Sequence, residues 1–210
     1  MGNINSKEYW EKRFRTGNWG KAGSLQTMQY ASYNIMHIDL NKNFSGTLLD
    51  FGCALGDSIP VYRNFLPNAK LLGIDISSSA IEQCKKRYGN LATFLSGDYR
   101  NTPKSDYIIA SHVMEHLSND REIVAHLLEK CKYLYIFVPY KETPLYVEHV
   151  NYYDKEYYSM FTVEKIKNFE IKIKRKQGIF KTLRGLFENR FSIYTEDMHN
   201  IVVYCLKGRL

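Results

Sequence analysis

Ser111-His112-Val113-Met114-Glu115-His116-Leu117 sets two imidazoles and a carboxylate at positions i, i+3 and i+4. On a helix that spacing brings all three side chains to one face. A fourth group, His149, lies in Val147-Glu148-His149-Val150-Asn151-Tyr152-Tyr153 and is placed to reach the same crevice. His112, Glu115, His116 and His149 together form a nitrogen and oxygen donor set suited to a divalent metal ion. His149 or His112 could instead take a proton from a hydroxyl, because an imidazole titrates at about pH 6.5. Internal hydrogen bonding is the third reading, and the residues alone leave all three open. His37, His126 and His199 fall outside this constellation and read as structural.

A second cluster sits in Leu48-Leu49-Asp50-Phe51-Gly52-Cys53-Ala54-Leu55-Gly56-Asp57-Ser58. Small residues at Gly52, Ala54 and Gly56 let a ligand approach the backbone, and a following helix N-terminus offers free N–H groups. Further on, Leu71-Leu72-Gly73-Ile74-Asp75 ends in an acid that can accept hydrogen bonds from both hydroxyls of a ribose. A dinucleotide would meet Ala54 and Asp57 at the second and third glycine positions, with Asp57 facing pyrophosphate. Anion beside anion is disfavoured. Asp50 suits a ligand with a cationic ammonium group instead, and the combination points to S-adenosylmethionine (SAM).

These residues need a scaffold, and the chain supplies alternating short strands and helices. Apolar runs predict strands at 47–51, 70–75, 92–96, 107–110 and 133–138. Helical spacing predicts helices at 5–15, 24–40, 57–65, 77–88 and 113–130, with Gly17, Gly20 and Gly23 breaking the chain between the first two. Strands of near-continuous Leu, Ile and Val indicate a mostly parallel sheet with helices on both faces. Strands at 169–176 and 201–206 lack a crossover helix, so they predict a C-terminal antiparallel hairpin at the sheet edge. One α/β domain accounts for residues 1–210.

The net charge of +7 is local. Lys165, Lys167, Lys172, Lys174, Arg175, Lys176, Lys181, Arg184 and Arg190 face only Glu170 and Glu188 over that stretch, and the rest of the chain balances. Such a run is either a solvated face or a surface for phosphate, nucleic acid or another anion. No apolar run approaches the length of a membrane span. The start shows no hydrophobic signal segment, and four widely spaced cysteines suit a reducing cytoplasm.

Taken in order, these motifs resemble the class I SAM-dependent methyltransferases over roughly residues 8–155. Asp50 to Gly56 looks like their first motif, Asp75 like their ribose-binding acid, and Gly97-Asp98-Tyr99 like their adenine-contacting segment. Ser111 to Leu117 is similar to their segment after the fourth strand, and Val138-Pro139 to the end of the fifth. The resemblance implies a Rossmann-like fold and cofactor contacts from Asp50, Gly52, Ala54, Gly56, Asp75, Ile76, Asp98, Tyr99 and Ser111. Glu8 to Phe14 with Trp19-Gly20 resembles a lid helix, which implies that Trp10, Arg13 and Trp19 close over SAM. On this basis 1–45 are lid helices, 46–140 the SAM-binding core, and 141–210 a substrate-side segment. The histidine run also resembles two metal-dependent groups, the ubiquinone-pathway O-methyltransferases and the small-RNA 3′-end 2′-O-methyltransferases. Their run is Glu-x-x-Glu-His, and His112 stands where the first Glu would be. The opening segment, the Gly-Cys-Ala turn and Glu148 to Tyr153 look most like bacterial methyltransferases of surface-polysaccharide loci. That implies a small, anionic, sugar-type acceptor methylated on oxygen. An RNA ribose methyltransferase and a non-catalytic SAM-binding subunit are the alternatives.

Overall fold

The structure, a computed structural model, describes residues 3–17, 19–179 and 192–210. Five parallel strands form its centre: β1 (Thr47–Phe51), β2 (Lys70–Asp75), β3 (Thr93–Ser96), β4 (Ser105–Ser111) and β5 (Cys131–Pro139). A hairpin of β6 (Val163–Ile179) and β7 (Ser192–Lys207) completes a seven-stranded sheet ordered β3-β2-β1-β4-β5-β7-β6. The hairpin is antiparallel as expected, and β7 inserts between β5 and β6.

Alternation along each strand divides the core in two. Leu48, Ile109, Tyr135 and Phe137 face one side. There they pack against α2 (Gly20–Asn34), α3 (Ile59–Phe65) and α4 (Ser78–Tyr88) through Tyr30, Ala31, Ile59, Tyr62, Ile81 and Cys84. Leu49, Ile108, Leu134 and Ile136 face the other side, covered by α5 (Asp120–Leu128) and by Tyr153 and Tyr158 of the chain after β5. Each buried Leu or Ile contributes about 1.5–3 kcal/mol. Among the described residues no helix is long and apolar enough to cross a membrane.

The first helix, α1 (Lys7–Arg15), is capped by Ser6, whose hydroxyl oxygen accepts from Tyr9 N at 3.2 Å. It crosses the sheet edge and places Glu11 at the N-terminus of α4. There the carboxylate accepts from Ser77 Oγ at 2.7 Å and from Ser79 N at 3.2 Å.

Two expectations need correction. Gly20 and Gly23 lie inside α2 rather than before it. A Cβ on Gly23 would fall 2.5 Å from Trp19 Nε1, so the glycine makes room for that indole. The expected helix over 113–130 is a single 3₁₀ turn, Met114–His116, followed by a break and then α5. Leu117, Ser118 and Asn119 separate the two, because Ser and Asn side chains compete with helical backbone pairing. His112, Glu115 and His116 therefore share a tight turn, with His112 at φ +54°, and not a helix face.

Asp120 ties the segment after β5 to α5. Its buried carboxylate accepts from Tyr158 OH at 2.6 Å, Tyr153 OH at 3.0 Å and Tyr157 OH at 3.2 Å. Asp120→Ala strands these hydroxyls, and urea denaturation should show a loss of about 3 kcal/mol with an unchanged m-value.

Candidate active site

The carboxyl ends of β1, β2, β4 and β5 open into a crevice of about 940 Å³, with α1 and α2 contributing walls. This is the upper end of the roughly 300–1,000 Å³ common for ligand pockets. Gly52, at φ +73°, has no room for a side chain, since a Cβ would lie 2.5 Å from Val113 Cγ2. Ala54 also has positive φ, and its N–H donates to Asp75 Oδ2 at 2.9 Å. Ser77 N donates to Asp75 Oδ1, also at 2.9 Å. Burial pushes the Asp75 carboxyl up to about 6 against these two hydrogen bonds. Burial raises Asp50 further, to about 7, although Ser58 donates its hydroxyl to it. Tyr62 OH also lines this end, buried without a hydrogen-bond partner.

Trp10, Arg13, Trp19, Asp50, Gly52, Ala54, Asp75, Ile76, Asp98, Tyr99 and Ser111 all border the crevice. Gly56 does not. It packs on Cys84, Phe94 and Tyr88, where a Cβ would meet each at 3.1–3.2 Å. Asp57 also turns away and is buried against Arg87 and Tyr88 OH. It would not face a bound pyrophosphate, so the case for an ammonium-bearing ligand rests on Asp50 alone. Asp98 is engaged by Arg100, whose N–H donates to Oδ1 at 2.9 Å.

Trp10, Phe14 and Trp19 form an aromatic group on α1 and its exit, with the Arg13 guanidinium 5.3 Å from the Trp10 ring. Arg13 and Tyr9 OH both donate to the carboxylate of Glu148, a buried residue after β5. The Glu148 carbonyl accepts from Asn5 Nδ2 at 2.7 Å and from His116 Nδ1 at 3.1 Å. Sequence reading missed Glu148, because nothing local distinguishes it from a solvated loop acid.

The histidines separate into two groups. His112 stacks on Tyr30, with centroids 3.8 Å apart, and its Nδ1 lies 3.1 Å from Glu115 Oε1. Glu115, His116 and His149 each bring a donor atom within 4.8 Å of the others, and His112 is not part of that set. Glu115 is 1% exposed and its Oε2 has no partner. Burial raises its carboxyl, but the His112 hydrogen bond and the three nearby imidazoles outweigh that and leave it below the usual range. Burial holds His116 below its ordinary value. Its Nδ1 faces a carbonyl, which only accepts, so Nδ1 carries the proton and Nε2 the lone pair. His149 Nδ1 is held by Glu142 in the same manner. His199, expected to be bland, borders the crevice with Nδ1 3.1 Å from Tyr30 OH. Lys165, Lys167, Lys172 and Lys174 do not line the crevice. Lys181, Arg184 and Arg190 lie outside the described residues.

Residues 49–132 match the family model described as a methyltransferase domain, a span that holds the Gly52 turn, Asp75, Asp98 and the run from His112 to His116. The match marks a methyltransferase domain within the chain. Among solved structures it is similar to a chain of the complex between the Haloferax volcanii Trm112 methyltransferase activator and a protein described as a methyltransferase. The TM-score there is 0.66 at 11% identity, over 96% of this chain and 98% of that one. The plantazolicin methyltransferase BpumL, in complex with SAH, gives 0.62 at 16% identity over 97% and 94%. The YcgJ protein from Bacillus subtilis gives 0.58 at 12% over 86% and 99%. At these identities the superpositions establish the fold. No curated relative matches the chain.

Asp50 and Asp75 hold protons in the folded state up to about pH 7 and 6, which the unfolded chain releases near pH 4. Their ionisation therefore costs stability as pH rises through that window. Asp50→Asn removes its share, so the variant should gain stability relative to wild type between about pH 4 and 7. Thermal melts of both proteins across that range check the sign.

Proposed function

We propose that this enzyme transfers the SAM methyl group to an oxygen of a small hydroxylated acceptor. The observation that carries the reading is the His112–Glu115 pair: a crevice imidazole held by a carboxylate that is itself buried. Asp75 would accept from the ribose hydroxyls, Asp50 would face the ammonium group, and Asp98 with Tyr99 and Ile76 would flank the adenine. Trp10 and Trp19 would cover the cofactor. The acceptor would occupy the part of the crevice formed by Gln26, Thr27 and Tyr30 with Tyr146, His199 and Asn200. In the transfer the acceptor oxygen attacks the methyl carbon, the carbon–sulfur bond breaks, and its electron pair stays on sulfur. His112 Nε2, buried and without a partner, would take the hydroxyl proton, with Glu115 steadying the resulting imidazolium. Holding the oxygen about 3 Å from the methyl group supplies much of the acceleration.

Hydroxyl- and amide-bearing side chains on aromatic surfaces fit a sugar, in keeping with the resemblance to surface-polysaccharide enzymes. Among the described residues Lys141 supplies a cation to the crevice, which suits a sugar carrying an anionic group. Four buried free cysteines suit a reducing cytoplasm.

A second reading, metal-dependent transfer to an RNA ribose, is favoured by the convergence of Glu115, His116 and His149. The donor set fits a divalent cation. The outer imidazole nitrogens are fixed by a carbonyl and a carboxylate, as in many metal sites. A cation there would lower the pKa of the acceptor hydroxyl.

Asp75→Ala should weaken SAM binding by about 1.5–3 kcal/mol in calorimetry, and unchanged affinity would remove Asp75 from the cofactor site. Methyl transfer to sugar and RNA panels, with and without exhaustive chelation, separates the two readings. Metal-free activity on sugars that is lost in His112→Ala supports the first. Activity on RNA that chelation abolishes and divalent cation restores supports the second.

A further inference from the structure

Five of the twelve exposed large apolar side chains of the described surface fall in one short stretch beside the crevice. Leu145, Tyr146, Val147, Val150 and Tyr152 are exposed within a single eight-residue stretch, with Val147 at 72%. Exposed Ile4 shares a groove with Val150, and exposed Met198 borders the crevice together with Tyr146. The stretch is inverted relative to an ordinary loop. Its acids turn inward, Glu142 to His149 and Glu148 to Tyr9 and Arg13, while the apolar residues face solvent. A concentrated apolar rim of this kind marks a docking surface.

Charge flanks the rim. β7 pairs with β5 only over Ile201–Lys207, whereas β6 and β7 remain paired as far as Ile179 and Ser192. The hairpin therefore runs on past the end of β5 that opens into the crevice. This extension begins with Glu170-Ile171 and continues as Lys172-Ile173-Lys174-Arg175-Lys176. Lys172 and Lys174 are exposed, and Lys174 has Glu196 at 3.8 Å, a surface pair of small strength. Apolar side chains to insert and cations to meet phosphates are the two signals a peripheral membrane binder combines.

We propose that the mouth of the crevice docks on an anionic lipid bilayer. Leu145, Tyr146 and Val147 enter the headgroup region, and Lys172 and Lys174 face lipid phosphates. A polynucleotide would use the lysines but gains nothing from Leu145 and Val147, so the observations favour lipid. The proposal goes beyond the methyl-transfer reading and is independent of it, because vesicle binding requires no acceptor.

Flotation with phosphatidylcholine vesicles, with and without phosphatidylglycerol, tests it. The full chain should float with the anionic vesicles and be released as salt rises. The double variants Leu145→Asp/Val147→Asp and Lys172→Glu/Lys174→Glu should each lower that binding about tenfold or more. None of these four residues lines the crevice, so SAM affinity and melting temperature should hold and report correct folding. Failure of the SAM-binding wild type to float overturns the proposal. So does flotation that is insensitive to the aspartates, which would reduce it to charge attraction alone. RNA binding lost in the lysine variant without any vesicle binding, or a dimer broken by the aspartates, assigns the surface to a different partner and also overturns it.

Discussion

A carboxylate taken out of water must be given donors, and in this fold those donors come from other parts of the chain. Among the described residues six acids are buried: Asp50, Asp57, Asp75, Glu115, Asp120 and Glu148. Asp75 joins the turn after β1 to the start of α4 through two backbone N–H groups. Asp57 anchors α4 to the same turn through Arg87. Asp120 collects three tyrosines from the chain after β5, and Glu148 fastens α1 to that chain. The pairings of Asp57, Asp120 and Glu148 join segments that are distant in sequence, and so help to assemble the crevice.

Not all of the six are satisfied equally. Asp120 and Asp57 have several donors each, whereas Asp50 has one and Glu115 retains an unpartnered oxygen. Asp50 and Glu115 border the crevice, whereas Asp57 and Asp120 lie behind it. This is the pattern expected when a ligand completes the hydrogen bonding. Asp50 and the Glu115 cluster are thereby the points of the crevice open to a cationic or hydroxyl-bearing ligand.

Glu148 connects the two ends of this arrangement. Its side chain holds Arg13 and Tyr9 of α1, and its backbone carbonyl accepts from His116. The cover and the histidine cluster are thereby referenced to one residue.

The five parallel strands could be read from the sequence because each is a short apolar run closed by a turn signal, a property carried by neighbouring residues. The turn at Gly52 and the acid at Asp75 were legible for the same reason. Their chemistry follows from small residues and a carboxylate at the ends of strands, which a parallel sheet always brings to one edge. Local pattern failed where a choice depended on distant partners. The spacing of His112, Glu115 and His116 suits a helix, yet packing after β4 forces a tight turn that sends His112 to Tyr30 and the other two toward His149. Asp57 follows the glycine turn directly in sequence, but Arg87 and Tyr88 draw it away from the crevice. Glu148 and His199 carry no local signal at all, since their importance comes from Arg13 and Tyr30, each more than a hundred residues away along the chain. Tertiary structure alone decides these cases, because burial and hydrogen bonding act on proximity in space.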